Sequence, residues 1–188
     1  MIQDAHAIVV GLGALGSPAA LYLAAAGVGR IGVVDPAVVE PDDPAREILH
    51  FAPDIGLPKA ENAAVKLRAL NRGVHVEAYP AELTPANGLA IVAGADVVLD
   101  CTGGPAAEDV CREAGVPLVW ASLADGGQVV SAEPGETPRV RRMDLGETSF
   151  AALAGAVGSA QALEALRLLG RRRDESLSGT APAGAQSV

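Results

Sequence analysis

Short β-branched apolar runs alternate along this chain with segments whose apolar residues recur at helical spacing. Ile8, Val9 and Val10 form an unbroken run that predicts a strand buried on both faces. An alanine-rich helix of about three turns is expected from Ala14 to about Ala26. Arg30 to Asp35 reads as the second strand, ended by Pro36. Ala37 to Phe51 mixes acids and prolines and reads as a loop, with a short helical turn near Ala45 to Leu49 and a further turn at Pro53 to Gly56. Pro58 then suits the first helical position. Ala63, Leu67 and Leu70 give Lys59 to Leu70 a helical stripe, and Asn71 to Gly73 stop it.

The second half repeats the alternation. Val74 to Ala78 predicts a third strand, Thr84 to Val92 a helix capped by Thr84-Pro85, and Asp96 to Asp100 a fourth strand. A helix from Ala106 to Ala114 leads to a fifth strand, Pro117 to Ala121. Gly127 to Ala132 and Arg139 to Met143 alternate apolar with polar residues, as antiparallel strands at a sheet edge do. Phe150 to Leu169 reads as a last helix, with Gly155 and Gly158 as close-packing points. This order predicts an α/β fold: a doubly wound, Rossmann-like, mostly parallel sheet with an antiparallel edge extension. Residues 1–170 are expected to form one domain, and 171–188, rich in Ser, Gly, Ala and Pro after a basic start, a disordered tail.

Composition narrows the function. Apolar residues make up 49% of the 188 but aromatics only 3%, so Ala, Val and Leu must build the core. A net charge of -9 argues against nucleic acid, whose phosphates call for clustered Lys and Arg. Cys101 and Cys111 are too few for a disulfide framework, lack zinc spacing, and read as packing residues. No apolar run approaches the roughly 18 residues of a membrane span. A cytoplasmic protein is expected, with no membrane contact and no zinc.

The candidate chemistry gathers after the first strand. Gly11, Gly13 and Gly16 follow it in the spacing G-x-G-x-x-G and open a helix. Gly11 permits the tight turn, Gly13 leaves room for a diphosphate, and Gly16 lets helix and strand approach. Helix N–H groups and the positive end of the helix dipole then face an anion. Asp35, at the end of the second strand, suits a ribose diol. Arg46 and Lys59 are the only cations between that strand and the middle of the next helix, and two cations near a glycine turn suit a triphosphate. Taken singly, each feature also has a structural reading: a bare turn, a solvated strand-end acid, two surface cations.

These residues resemble the ThiF/MoeB/HesA group, bacterial relatives of ubiquitin-activating enzymes. VVGLGALGSPAALYLAAAGVGRIGVVD looks like the family's opening, and the likeness extends from about Ile8 to Gly170. VVEPDDPAREILH stands where the family has Asn-Leu-x-Arg-Gln, so Arg46 falls on its phosphate-binding arginine and Asp43 on its asparagine. IGLPKAENA resembles the Gly-x-Pro-Lys segment and puts Lys59 on the triphosphate-contacting lysine. DVVLDCTGG resembles a strand and loop usually ending Cys-Thr-Asp-Asn, and VGSAQALEALRLLG the last helix. The resemblance implies ATP-dependent adenylation of the C-terminal glycine of a ubiquitin-like sulfur-carrier or modifier protein, with Mg²⁺. Gly11, Gly13, Gly16, Asp35 and Asp43 would form the nucleotide site, Arg46 and Lys59 would act on the phosphates, and the protein would work as a homodimer or heterodimer.

The chain also departs from that pattern. Gly103 stands in place of the family's metal-binding aspartate, leaving Asp100 or Asp125 as substitutes, and Asp43 in place of a neutral amide. Zinc-type Cys-x-x-Cys pairs are absent. Ala132 to Phe150 leaves no room for a long crossover loop with a reactive cysteine, and the first strand opens too early for the family's N-terminal arginine-bearing helix. Two rival readings follow: a catalytically weak or inactive nucleotide-binding partner of the same fold, and an NAD-dependent oxidoreductase. The second suits Asp35 and the glycine turn but finds no Tyr-x-x-x-Lys or His-centred hydride-transfer set.

Overall fold

The computed structural model describes residues 2–103, 106–143, 145 and 149–178. Seven strands form one sheet: β1 His6–Val10, β2 Arg30–Val34, β3 His75–Tyr79, β4 Val97–Asp100, β5 Leu118–Ser122, β6 Gln128–Ala132 and β7 Arg139–Arg142. Their order across the sheet is β3-β2-β1-β4-β5-β6-β7. The first five run parallel, with Ile8 opposite both Gly32 and Val98. β6 and β7 are antiparallel additions at the β5 edge. This is the fold class expected from the sequence.

β1 is central because every one of its residues is apolar or hydrogen-bonded and buried. Its alternation feeds two cores. Ala7 and Val9 enter a layer with α1 (Gly16–Ala26), α2 (Lys59–Leu70) and α5 (Phe150–Ser178). Ile8 and Val10 enter the opposite layer under α3 (Gly88–Val92) and α4 (Glu108–Ala114). With few aromatics, the helices dock through small residues such as Ala19, Ala20, Ala63, Ala162 and Ala165, all buried. A Cβ at Gly158 would stand 2.3 Å from the Leu15 carbonyl oxygen, so α5 crosses α1 there. Gly155 does not share that role, having nothing within 4 Å of the same position.

The other differences from expectation are local. α3 begins at Gly88 rather than Thr84, because the Thr84 N–H and hydroxyl both donate to Asn87 Oδ1 and tie the intervening residues into a turn. Pro58 is the cap of α2, not its first helical residue. The turn expected near Ala45 to Leu49 falls earlier, at Asp43–Ala45. It forms there because Asp43 accepts the Glu40 N–H at 2.8 Å. α5 runs on through Ser178 rather than ending at Leu169, and residues 179–188 lie outside the described residues.

Candidate functional site

A cleft of about 770 Å³ opens at the carboxyl ends of the parallel strands, where the chain order reverses between β1 and β4. Doubly wound sheets bind ligands at that point, and the volume suits a nucleotide-sized molecule. Gly11, Gly13, Asp35, Arg46, Leu83, Thr102, Gly103, Ser122 and Phe150 are among its lining. Four of the sequence-derived site residues, Gly11, Gly13, Asp35 and Arg46, therefore share one wall system.

The glycine turn is built as its spacing predicts. Gly11 has φ +84°, a left-handed backbone that glycine adopts without strain. A Cβ at Gly16 would stand 1.9 Å from the Gly11 carbonyl oxygen, so that position serves close packing and does not line the cleft. Asp35 holds the turn from β2: its carboxylate accepts the Leu12 N–H at 2.7 Å and the Ala37 N–H at 2.8 Å. Each oxygen keeps lone-pair capacity for a further donor, as a ribose diol would require. The Leu12 carbonyl accepts the Ser17 hydroxyl at 3.1 Å and lies 3.2 Å from His50 Nε2. His50 is in turn 3.2 Å from the Asn62 amide through Nδ1. Burial, with Lys59 nearby, holds His50 below its ordinary value, so a neutral ring that donates to Leu12 and accepts from Asn62 fits both contacts.

The two cations differ from expectation and from each other. Arg46 is half exposed beside the cleft, donating Nη2 to Asp43 Oδ1 at 2.9 Å. Lys59, whose structural reading is a surface cation, is only 7% exposed. Its Nζ lies 2.8 Å from Asp43 Oδ2 and 2.8 and 3.0 Å from the two oxygens of Glu47. A buried ammonium is tolerated only with partners of opposite charge, and this one has two. Burial works against its charge, but the bonds to Asp43 and Glu47 outweigh that and hold Lys59 above the usual lysine range. Burial likewise opposes ionisation of Asp43, yet Lys59 and the Glu40 N–H keep it low. For Glu47 burial wins, reinforced by the Asp43 charge, and its carboxyl is pushed up. Asp43 and Lys59 thus sit behind the cleft lining as a charged cluster, not as part of its surface.

The end of β4 does not supply a metal acid. Gly103 lines the cleft with φ +93°, so an aspartate there would sit in a strained backbone. Asp100, considered as a substitute, is fully buried; it accepts the Thr102 N–H at 3.0 Å, the Thr102 hydroxyl at 2.6 Å and the Ala107 N–H at 2.8 Å. It shapes its own loop. The side chain of Asp125 and residues 104–105 lie outside the described residues. Among the described residues no three His, Cys, Asp or Glu side chains converge to hold a metal ion. The cysteines pack as expected: burial pushes the Cys101 thiol far up, and the Cys111 thiol to about 12. Among the described residues, no helix is long and apolar enough to cross a membrane.

Sequence reasoning missed Glu47, His50, Asn62 and Gln161. Gln161 reaches from α5 to donate to the Asp100 and Val119 carbonyls at 2.8 and 2.9 Å, and its oxygen lies 3.3 Å from Cys101 Sγ. Glu47 carried a readable signal: an acid beside Arg46, in the place of the glutamine that ends Asn-Leu-x-Arg-Gln. The others gave none: His50 and Gln161 meet backbone carbonyls far away in sequence, and Asn62 meets the His50 ring across twelve residues.

The sequence pattern of the ThiF family matches residues 1–183. The SAMP-activating enzyme E1 of Haloferax volcanii is 39% identical over 189 residues, covering 89% of this chain and 68% of that protein. The adenylyltransferase and sulfurtransferase MOCS3 of Mus musculus is 41% identical over 185 residues, covering 89% of this chain but 40% of that protein. Among solved structures, Escherichia coli MccB shares the fold, with a TM-score of 0.75 at 19% identity over 90% of this chain and 57% of its own. Escherichia coli tRNA N6-threonylcarbamoyladenosine dehydratase, solved in complex with AMP, gives a TM-score of 0.59 at 32% identity over 63% of this chain and 51% of that one.

Proposed function

The chain belongs to the ThiF family, and from that premise we propose that it activates a ubiquitin-like sulfur-carrier or modifier protein by adenylating its C-terminal glycine with ATP. The observation that carries this reading is the convergence of the Gly11 turn, Asp35 and Arg46 on one cleft. In this reading the ribose hydroxyls donate to Asp35, and the phosphates lie over Gly13 at the start of α1 with Arg46 beside them. The carrier's carboxylate attacks the α-phosphorus. An acyl–oxygen–phosphorus bond forms as the bond to the bridging oxygen breaks, and pyrophosphate leaves with that electron pair. Arg46 and Lys59 stabilise the charge that builds on the phosphates, so positioning and fixed charge do the work without a protein nucleophile. Mg²⁺ would arrive on the nucleotide; the described residues do not fit a protein-held metal at Gly103, and no step here runs through one. The protein is expected to work as a homodimer or heterodimer in the cytoplasm.

The engagement of Lys59 by two carboxylates favours a second reading, a nucleotide-binding partner protein with weak or no catalysis. Both readings require ATP rather than NAD in the cleft. At about 100 times its dissociation constant a ligand adds roughly 2.7 kcal/mol of stability. ATP should therefore raise the melting temperature at concentrations where NAD does not. A shift with NAD alone would refute both.

A further inference from the structure

Four charged groups cluster at the glycine turn, Arg46 on the cleft and the other three behind it, and they cancel: Arg46 and Lys59 against Asp43 and Glu47. The two acids are not equivalent. Asp43 is fixed from three directions, accepting the Glu40 N–H at 2.8 Å, Arg46 at 2.9 Å and Lys59 at 2.8 Å. It shapes the loop that carries Arg46. Glu47 is bonded through both oxygens to Lys59, lies against the Asp43 carboxylate, and stands 3.9 Å from the Arg46 Nε. The same Oε1 would lie 3.5 Å from a Cβ on Gly13, against the part of the turn that faces the cleft. Glu47 is thus an anion already seated between the lysine and the phosphate loop. Buried beside Asp43, its charge is opposed by its surroundings and held there chiefly by Lys59.

We propose that Glu47 is a specificity-determining internal counter-anion: it competes with the nucleotide's phosphates for Lys59 and so lowers the advantage of ATP over less phosphorylated adenine ligands. The proposal rests on the reading that Arg46 and Lys59 face the polyphosphate. With Glu47 ionised, a triphosphate meets a site of cancelled charge and must draw Lys59 away from a carboxylate. With a neutral amide at 47, the same arrangement carries one net positive charge and the lysine is free to turn. Repulsion between an anionic ligand and a buried carboxylate is large in a poorly solvated site, and it grows with each phosphate. The nucleoside end of the cleft, at Asp35 and the Gly11 turn, is untouched by the change.

Calorimetric titration of adenosine, AMP and ATP into the wild-type protein and Glu47→Gln tests this, with melting curves to verify folding. Glu47→Gln should tighten ATP by about tenfold or more and AMP by less, while adenosine stays within about twofold. Glu47→Ala, which removes the charge with a different shape, should move ATP in the same direction and stands in if the glutamine variant does not fold. Unchanged or weaker ATP binding with adenosine intact would overturn the proposal and make Glu47 a positioning partner of Lys59. An equal gain for all three ligands would overturn it as well. If neither protein binds ATP more tightly than adenosine, the cations do not face a polyphosphate, and the reading beneath the proposal falls with it.

Discussion

Lys59 carries the sharpest residue-scale consequence. Its ammonium is buried between two carboxylates, so Lys59→Ala removes more than a phosphate contact. It strips the buried Glu47 of its bonded counter-charge and leaves Asp43 to Arg46 alone, and breaking a buried ion pair from one side costs about 3–5 kcal/mol. Chemical denaturation of Lys59→Ala should show a loss of that order, and Lys59→Met, equally uncharged, should not restore it. His6 and His50 set the acid side of stability. Burial lowers both from the ordinary 6.5. Unfolding lets them take up protons that the folded chain excludes, so stability should fall as pH drops below about 6.5. Melting temperatures at pH 7.5 and 5.5 should differ in that direction, and His50→Gln should shrink the difference. A melting temperature that rises on acidification would contradict the buried neutral assignment.

Among the elements, α5 fastens the site side of the sheet to its helical layer. Gln161 donates to the carbonyls of Asp100, at the end of β4, and Val119, within β5, two parallel strands whose loops both line the cleft. Gln161→Leu leaves those buried acceptors without their partner, and an unsatisfied buried polar group costs about 1–3 kcal/mol. Denaturant titration should show a loss of that size, and an unchanged stability would mean that α5 merely covers the sheet. This bridge also marks what the sequence conceals. The β-branched run Ile8–Val10 and the apolar spacing Ala63, Leu67, Leu70 announce their elements, because burial on two faces or on one stripe writes a period into the chain. The start of α3 is not written that way. It depends on Asn87 accepting both Thr84 donors, a local competition that the Thr-Pro cap signal cannot reveal.

At the scale of the whole molecule, topology assembles what the sequence scatters. Gly11, Asp35, Arg46 and Gly103 come from the segments that follow β1, β2 and β4 and meet because parallel strands deliver their following loops to one edge. For Gly11, Asp35 and Gly103 that convergence follows from strand order, whereas Arg46 is placed there only by the family resemblance. The charge state of the site is not legible in the sequence, since Lys59 and Glu47 are twelve residues apart and pair only across the loop that turns at Asp43–Ala45. The protein is expected to be an enzyme whose nucleotide end is well formed and whose phosphate end is partly self-neutralised. The direct test is carrier-dependent ATP–pyrophosphate exchange, measured with a ubiquitin-like protein ending in glycine. Exchange should appear only with the carrier present, and Arg46→Ala should reduce it by about 10²–10³-fold, the usual effect of removing one preorganised charge contact. Exchange that persists undiminished in Arg46→Ala, or ATP binding without exchange for any carrier offered, would contradict adenylation by this cleft.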